Sequence, residues 1–162
     1  MPPLVGFFGQ HDLKIDAKSR VTMPARFKSM LREQYPQDDE QVVVRLNVDR
    51  NLTVESVSKF AQVVEDFDQY DELDENARRY KQLMTALATV EKIDAGGRIR
   101  LSGDLRRLAG IEHDVIVIGR SNSCEIWARE RWEAERDKAL GDLPELSRRV
   151  RQEHMSSITP VR

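Results

Sequence analysis

Two aspartate–arginine pairs recur in this sequence with the same spacing: Asp16 stands four residues before Arg20, and Asp94 four residues before Arg98. A carboxylate so placed caps its own turn or holds the guanidinium by a charge-assisted hydrogen bond. An arginine not held in this way can fork onto a phosphate or onto the edge of guanine. Reaction chemistry needs more than this. One acid per pair has no second acid or base to work with, and the three histidines, His11, His113 and His154, are far apart and beside no Cys–Asp pattern. Cys124 lies in a strand-like stretch and reads as a small core residue. There is no P-loop, dinucleotide fingerprint or His-Glu-x-x-His motif, and Gly96-Gly97 reads as a tight turn. The residues therefore predict no enzyme, no cofactor, no metal site and no small-molecule substrate.

The pairs sit inside a longer repeat. Residues 15–27 and 93–105 share one frame: apolar, Asp, Ala, two variable residues, Arg, then apolar residues at alternate positions and at the last one. Two copies at this separation suggest a duplicated half-domain rather than a solenoid. Asp-Ala-Lys-Ser and Asp-Ala-Gly-Gly are turn sequences, and the alternation after them is that of a half-buried strand. Ile15, Val21 and Met23 are expected to point inward, as are Ile93, Ile99 and Leu101. Lys14, Arg20 and Thr22, with Lys92, Arg98 and Arg100, then form basic outer faces, and Lys18 adds a charge at the first turn. Pro24 suits the first position of a short helix, and Ser102 can cap its counterpart.

The elements around the repeats follow from periodicity. Phe7, Phe8 and Leu13 are packing residues of an early strand. A helix over 24–34 presents Phe27, Met30 and Leu31 on one face. Strands are predicted at 42–46 and 52–55, and again at 87–93, 115–119 and 124–127. A helix over 56–69, capped by Ser56, carries the stripe Val57, Phe60, Ala61, Val64 and Phe67. A second over 74–86 carries Leu73, Ala77, Tyr80, Met84 and Leu87. Residues 103–109 form a short helix ended by Gly110, and 128–140 a longer one with Trp132 inward. Beyond Gly141 the chain reads as a loose helix or a tail.

Of 162 residues, 40% are hydrophobic and 33% charged, so a core can form beneath a large polar surface. The net charge of −2 is segregated. Residues 14–32 hold six basic and one acidic side chain, 92–107 five and two, and 65–75 seven acidic and none basic. Such a pattern can steer a polyanion to one face. No apolar run reaches the roughly 20 residues of a membrane span, the N-terminus lacks signal-peptide character, and one cysteine forms no internal disulfide. A cytoplasmic location is expected.

Asp-x-x-x-Arg, strand, Pro and short helix resemble the AbrB/SpoVT swapped-hairpin family of DNA-binding proteins. Two copies with a helical spacer resemble the MraZ family of transcriptional regulators. The resemblance implies an α+β fold in which two swapped-hairpin half-domains form an intrachain pseudo-dimer. The segments would be 10–57 for the first repeat, 58–87 for the helical spacer, 88–131 for the second repeat, and 132–162 for a C-terminal helix and charged tail. It also implies double-stranded DNA as partner, at promoter repeats of a cell-division and cell-wall gene cluster including the chain's own promoter. A homo-oligomeric ring, nucleoid association and no membrane contact belong to the same expectation. Arg20 and Arg98 map onto the family's DNA-contacting arginine, and Arg106 and Arg107 onto an Arg pair that single-copy relatives turn to DNA. Lys14, Lys18, Lys92 and Arg100 complete the expected surface, with Asp16 and Asp94 structuring the turns. The alternative is an antitoxin-like protein-interaction scaffold of the same fold.

Overall fold

Caps at the helix starts and alternating apolar strands lay down nearly all the predicted elements. The structure is a computed structural model describing residues 5–70 and 73–155. It contains one unit running through Arg129 and a second from Glu130 onward. The first unit begins with β1 (Gln10–Lys14), β2 (Arg20–Thr22), α1 (Ala25–Gln34), a 3-10 turn at Pro36–Asp38, β3 (Gln41–Leu46), β4 (Leu52–Ser56) and α2 (Val57–Asp68). After α3 (Glu75–Ala86) the order returns as β5 (Thr89–Lys92), β6 (Arg98–Arg100), α4 (Gly103–Leu108), β7 (Asp114–Gly119) and β8 (Ser123–Ala128). From Glu130 the second unit holds the rest of α5 (Arg129–Gly141) and α6 (Leu143–Met155), so the stretch after Gly141 is helical; residues 156–162 lie outside the described chain. The fold is α+β.

Six strands form one antiparallel sheet in the order β1, β7, β8, β4, β3, β5, and β2 pairs with β6 as a separate ribbon. Exchange β1 for β5, β3 for β7 and β4 for β8, and the order reads the same from the other end. The symmetry extends to single residues. At the centre Thr53 faces Glu125, flanked by Leu52 against Ile126 and Val54 against Cys124. Each half's first strand has crossed over: β1 pairs with β7, and β5 with β3.

One face of this sheet carries Val42, Val44, Leu52, Val54, Val115, Val117, Cys124 and Ile126. Against it pack Phe27, Met30 and Leu31 from α1, Leu105 from α4, and Val21 and Ile99 from the ribbon. Every residue predicted to point inward from the two repeats is buried. The opposite face is partly polar: α2 packs on β3 and β4, and Glu55 is only 1% exposed there. Its carboxylate accepts from Arg45 Nε at 2.7 Å, and Lys59 Nζ lies 3.9 Å away. Glu125 is held likewise, by Arg120 at 2.7 Å and by the Trp127 indole N–H at 2.9 Å. Removing one partner of such a pair leaves an uncompensated charge, so the network holds these side chains in one arrangement.

Several packing expectations need correction. Phe7 is buried, but Phe8 is largely exposed. Ser56 caps α2 as predicted, accepting the Lys59 N–H at 3.1 Å, yet no residue of the α2 stripe is fully buried. The stripe covers a sheet face already half satisfied by polar contacts. On α3 only Met84 is buried, and Leu73 is 87% exposed, because Asp74 is the N-cap and Leu73 precedes the helix. Pro24 is the residue before α1 rather than its first member.

The Asp-initiated turns join β1 to β2 and β5 to β6. Asp16 Oδ1 accepts the Lys18 and Arg20 N–H groups, both at 2.9 Å, and Asp94 Oδ1 accepts those of Gly96 and Arg98, both at 2.9 Å. Partial desolvation raises the Asp16 carboxyl, but the amide and guanidinium of Arg20 and the amide of Lys18 outweigh it and leave it below its ordinary 3.8. The Arg98 amide does most to lower Asp94, against desolvation and with help from the Arg98 guanidinium. A depressed carboxylate stabilises the fold above its unfolded pKa, and that contribution is lost as pH falls through the folded value. The double variant Asp16→Ala/Asp94→Ala should therefore melt below the wild type at neutral pH, with the gap narrowing as pH drops past 3.8. A gap constant across that range would show that the ionised carboxylates add nothing.

Burial also ranks the aromatic residues. Phe27 is fully buried, edge-on to Phe7 with ring centroids 5.4 Å apart. Phe67 is half-buried and touches Tyr70 and Tyr80 at 5.4 and 5.2 Å. Phe27→Ala should cost about 3–5 kcal/mol. Phe67→Ala should cost about 1 kcal/mol, the scale of its ring contacts. Urea titration measures both, and equal losses would show the α2 stripe to be as buried as the core.

Candidate nucleic-acid interface

The β2–β6 ribbon sets Arg20 opposite Arg100, Val21 opposite Ile99, and Thr22 opposite Arg98. Val21 and Ile99 are 0% exposed, so strand alternation turns the other four side chains outward on one face. Three arginines thus share a short ribbon. Like charges directly opposite one another repel, and nearby carboxylates relieve this. Arg20 Nε donates to Asp16 Oδ2 at 2.8 Å, and Arg98 Nε to Asp94 Oδ2 at 2.9 Å. The Glu91 carboxyl is raised by burial, with the Arg100 charge opposing that rise. Both aspartate bonds are made through Nε, so the outer guanidinium nitrogens of Arg20 and Arg98 remain available to another acceptor. The two roles left open by the sequence, pairing with Asp or reaching outward, are therefore compatible in one side chain.

Backbone bonds lock the ribbon into both halves. The Met23 N–H donates to the Gly97 carbonyl, and the Leu101 N–H to the Ser19 carbonyl, both at 2.8 Å. Ser19 and Gly97 occupy equivalent places with φ of 62° and 77°. Ser19 Oγ also donates to the Leu101 carbonyl at 2.7 Å and accepts from Arg106 Nη1 at 3.0 Å. Sequence reasoning missed Ser19. Its alignment with Gly97 was the available signal, since both residues take a left-handed turn position.

The other expected residues lie around the ribbon in the same unit. Lys14 ends β1 opposite Asp114, exposed and without an ion pair among the described residues. Lys18 is exposed at the first turn. Lys92 is tied to Asp39 at 2.8 Å. Arg106 donates to Ser19 and to the Glu112 carbonyl, and Arg107 to Asp104 at 3.1 Å. Arg106, Arg107 and His113 line a shallow open cleft. Ser102 replaces Pro24 without loss: its backbone angles match, and its Oγ accepts the Leu105 N–H at 3.2 Å.

Other candidate chemistry resolves into structure. His11 stacks on Phe7 at 5.1 Å, and burial pushes the Cys124 thiol well above its ordinary value. Among the described residues no group of His, Cys, Asp and Glu is placed to hold a metal ion, and no helix is long and apolar enough to cross a membrane.

Residues 84–146 match the family described as "MraZ protein, putative antitoxin-like". The chain is 34% identical to the transcriptional regulator MraZ of Neisseria meningitidis serogroup C, over 86% of its own length and 91% of that protein. It is 35% identical to the regulator of the same name from a Marinomonas species, over 83% and 87%. With that from Thermomicrobium roseum the identity is 32%, over 89% and 96%. Identity above 30% over most of both chains shows that the chain belongs to the MraZ family.

Proposed function

We propose that this chain is a sequence-specific DNA-binding transcriptional regulator. It acts at repeated promoter elements of a cell-division and cell-wall gene cluster, its own promoter included, in the cytoplasm over the nucleoid. The observation that carries this reading is the β2–β6 ribbon, with Arg20, Arg98 and Arg100 on one outward face. The major groove of B-DNA admits a two-stranded ribbon, and arginine reads guanine there in bidentate fashion. Lys14, Lys18, Arg106 and Arg107 flank the ribbon and suit phosphate contacts that set register. The names of the relatives, transcriptional regulators, support the same class. The two halves act as an intrachain pseudo-dimer, each supplying one strand of the reading surface. The segments 10–57, 58–87, 88–131 and 132–162 serve as first repeat, spacer, second repeat and C-terminal extension.

Assembly into a ring is part of this proposal. Val48, Tyr80 and Leu83 stand exposed along a groove completed by Leu46, Leu87 and Leu108. An apolar strip of this kind suits contact between copies.

Gel retardation on duplexes from the chain's own promoter region tests the reading. Arg20→Ala and Arg100→Ala should each cost about 1–3 kcal/mol if they contact bases, or about 0.9 of salt slope if they contact phosphate. Melting temperature should stay near that of the wild type for Arg100→Ala, where the native side chain is exposed, and fall only slightly for Arg20→Ala, which loses the bond to Asp16. Wild-type affinity unmoved by either substitution would remove the ribbon from the interface. No retardation at low salt, with a stoichiometric protein partner in a pull-down, would favour the scaffold reading that "antitoxin-like" suggests.

Repeat number gives an independent measurement. A single ribbon offers few contacts, and joined copies raise apparent affinity through effective concentration. Duplexes with one, two and three promoter repeats should bind progressively tighter. Equal affinity for all three would exclude multivalent binding.

A further inference from the structure

The strand order is symmetric, but the charges around it are not. The bond from the Ile15 N–H to the His113 carbonyl at 2.9 Å has its counterpart in the Ile93 N–H to the Glu40 carbonyl at 3.2 Å. Lys14 therefore corresponds to Lys92, and His113 to Glu40. Along the edge near β1, Lys14 has no ion pair among the described residues, although Asp114 is its partner in the strand register, and Arg106 donates to two neutral oxygens rather than to a carboxylate. Along the edge near β5, two adjacent carboxylates hold three cations. Asp39 pairs with Lys92 at 2.8 Å, and Glu40 pairs with Lys28 at 3.6 Å and with Arg32. Glu40 is 18% exposed, which limits screening by solvent. The Asp39 carboxylate lowers its own pKa by bonding Lys92, and Lys92 is raised by the same bond.

The backbone that carries this pair is unusual. Asp39 and Glu40 take φ of 49° and 59°, two successive non-glycine residues in the left-handed region. Among the described residues of the equivalent segment, Glu112 and His113 do not. Asp39 in this conformation ends the 3-10 turn, and Glu40 leads from it into β3.

We infer that Asp39 and Glu40 are a built-in electrostatic mask. They neutralise Lys28, Arg32 and Lys92 and confine DNA contact to the ribbon and the Lys14–Arg106 edge, so that a symmetric scaffold grips DNA from one end. This rests on the DNA-binding reading above and assigns these carboxylates the role of limiting its footprint. Lys92, a basic residue of the expected surface, is then a silent position in the native chain.

Titration of a labelled duplex from the chain's own promoter region at several salt concentrations tests the mask. Lys14→Ala should lower affinity several-fold, while Lys92→Ala should leave it within about twofold. Asp39→Asn should raise affinity several-fold and steepen the salt slope by about 0.9 per phosphate newly contacted. In the Asp39→Asn background, Lys92→Ala should cancel that gain. Asp39 is largely exposed, so this variant keeps the fold, and thermal melting verifies it; Glu40→Gln provides a second test. Equal losses from Lys14→Ala and Lys92→Ala, or no gain from Asp39→Asn, would overturn the mask while leaving the ribbon reading intact if Arg100→Ala still weakens binding. Failure of the wild type to bind any duplex would overturn both.

Discussion

The structure depends on a crossing. Neither half of the chain can complete its own sheet, because β1 finds its hydrogen-bonding partner in β7, and β5 finds its partner in β3. A segment of about 50 residues also buries too little apolar surface for comfortable independent stability. Exchange of the first strands removes both problems together. It pairs edges that would otherwise be open, and it drives Val21 and Ile99 into one cluster with Phe27, Leu105, Val54 and Ile126. The reciprocal bonds between Met23 and Gly97 and between Leu101 and Ser19 then fix the register of the ribbon. A slip by one residue would put Val21 and Ile99 into solvent and the arginines into the core. The basic face is thus a consequence of how the core closes.

The second face of the sheet shows what the crossing costs. With both halves joined along β4 and β8, the residues alternate to that face as Thr53 and Glu55, and as Ser123, Glu125 and Trp127. These are polar groups at a buried seam. Each carboxylate has a cationic partner and a second contact, which keeps desolvation from unfolding the seam. The price of ordering such a network is offset by uniqueness: Arg45 with Glu55 and Arg120 with Glu125 admit few alternative pairings. Burial also lowers the pKa of Lys59, against the pull of Glu55.

Much of this was legible in the sequence, for a physical reason. Period-two alternation after an Asp turn leaves little freedom, and so the inward set Ile15, Val21, Met23, Ile93, Ile99 and Leu101 was readable and is buried. Caps were equally local: Ser56 and Ser102 each accept an amide hydrogen at a helix start. Contacts made across the chain were not readable. Asp39, Glu40 and Lys92 meet only because β5 lies beside β3, and nothing in a loop of mixed charge announces that. The half-buried α2 stripe was overread for a related reason. Helical periodicity reports which face is apolar, but not how much of that face the sheet can cover.

Placing both halves in one chain has a consequence that a true dimer does not share. In a homodimer every substitution appears on both sides of the axis, so the two ends of the interface stay identical. Here equivalent positions have diverged without disturbing the backbone: Ser19 with Gly97, Pro24 with Ser102, Lys28 with Arg106, and Glu40 with His113. The differences concentrate on outward or turn positions, while the paired core residues Val21 and Ile99, Met23 and Leu101, and Phe27 and Leu105 remain apolar. Core complementarity restrains one class of positions, and fusion releases the other. A surface that must meet a directional ligand gains from that release, since a strictly symmetric face cannot tell one direction along a duplex from the other.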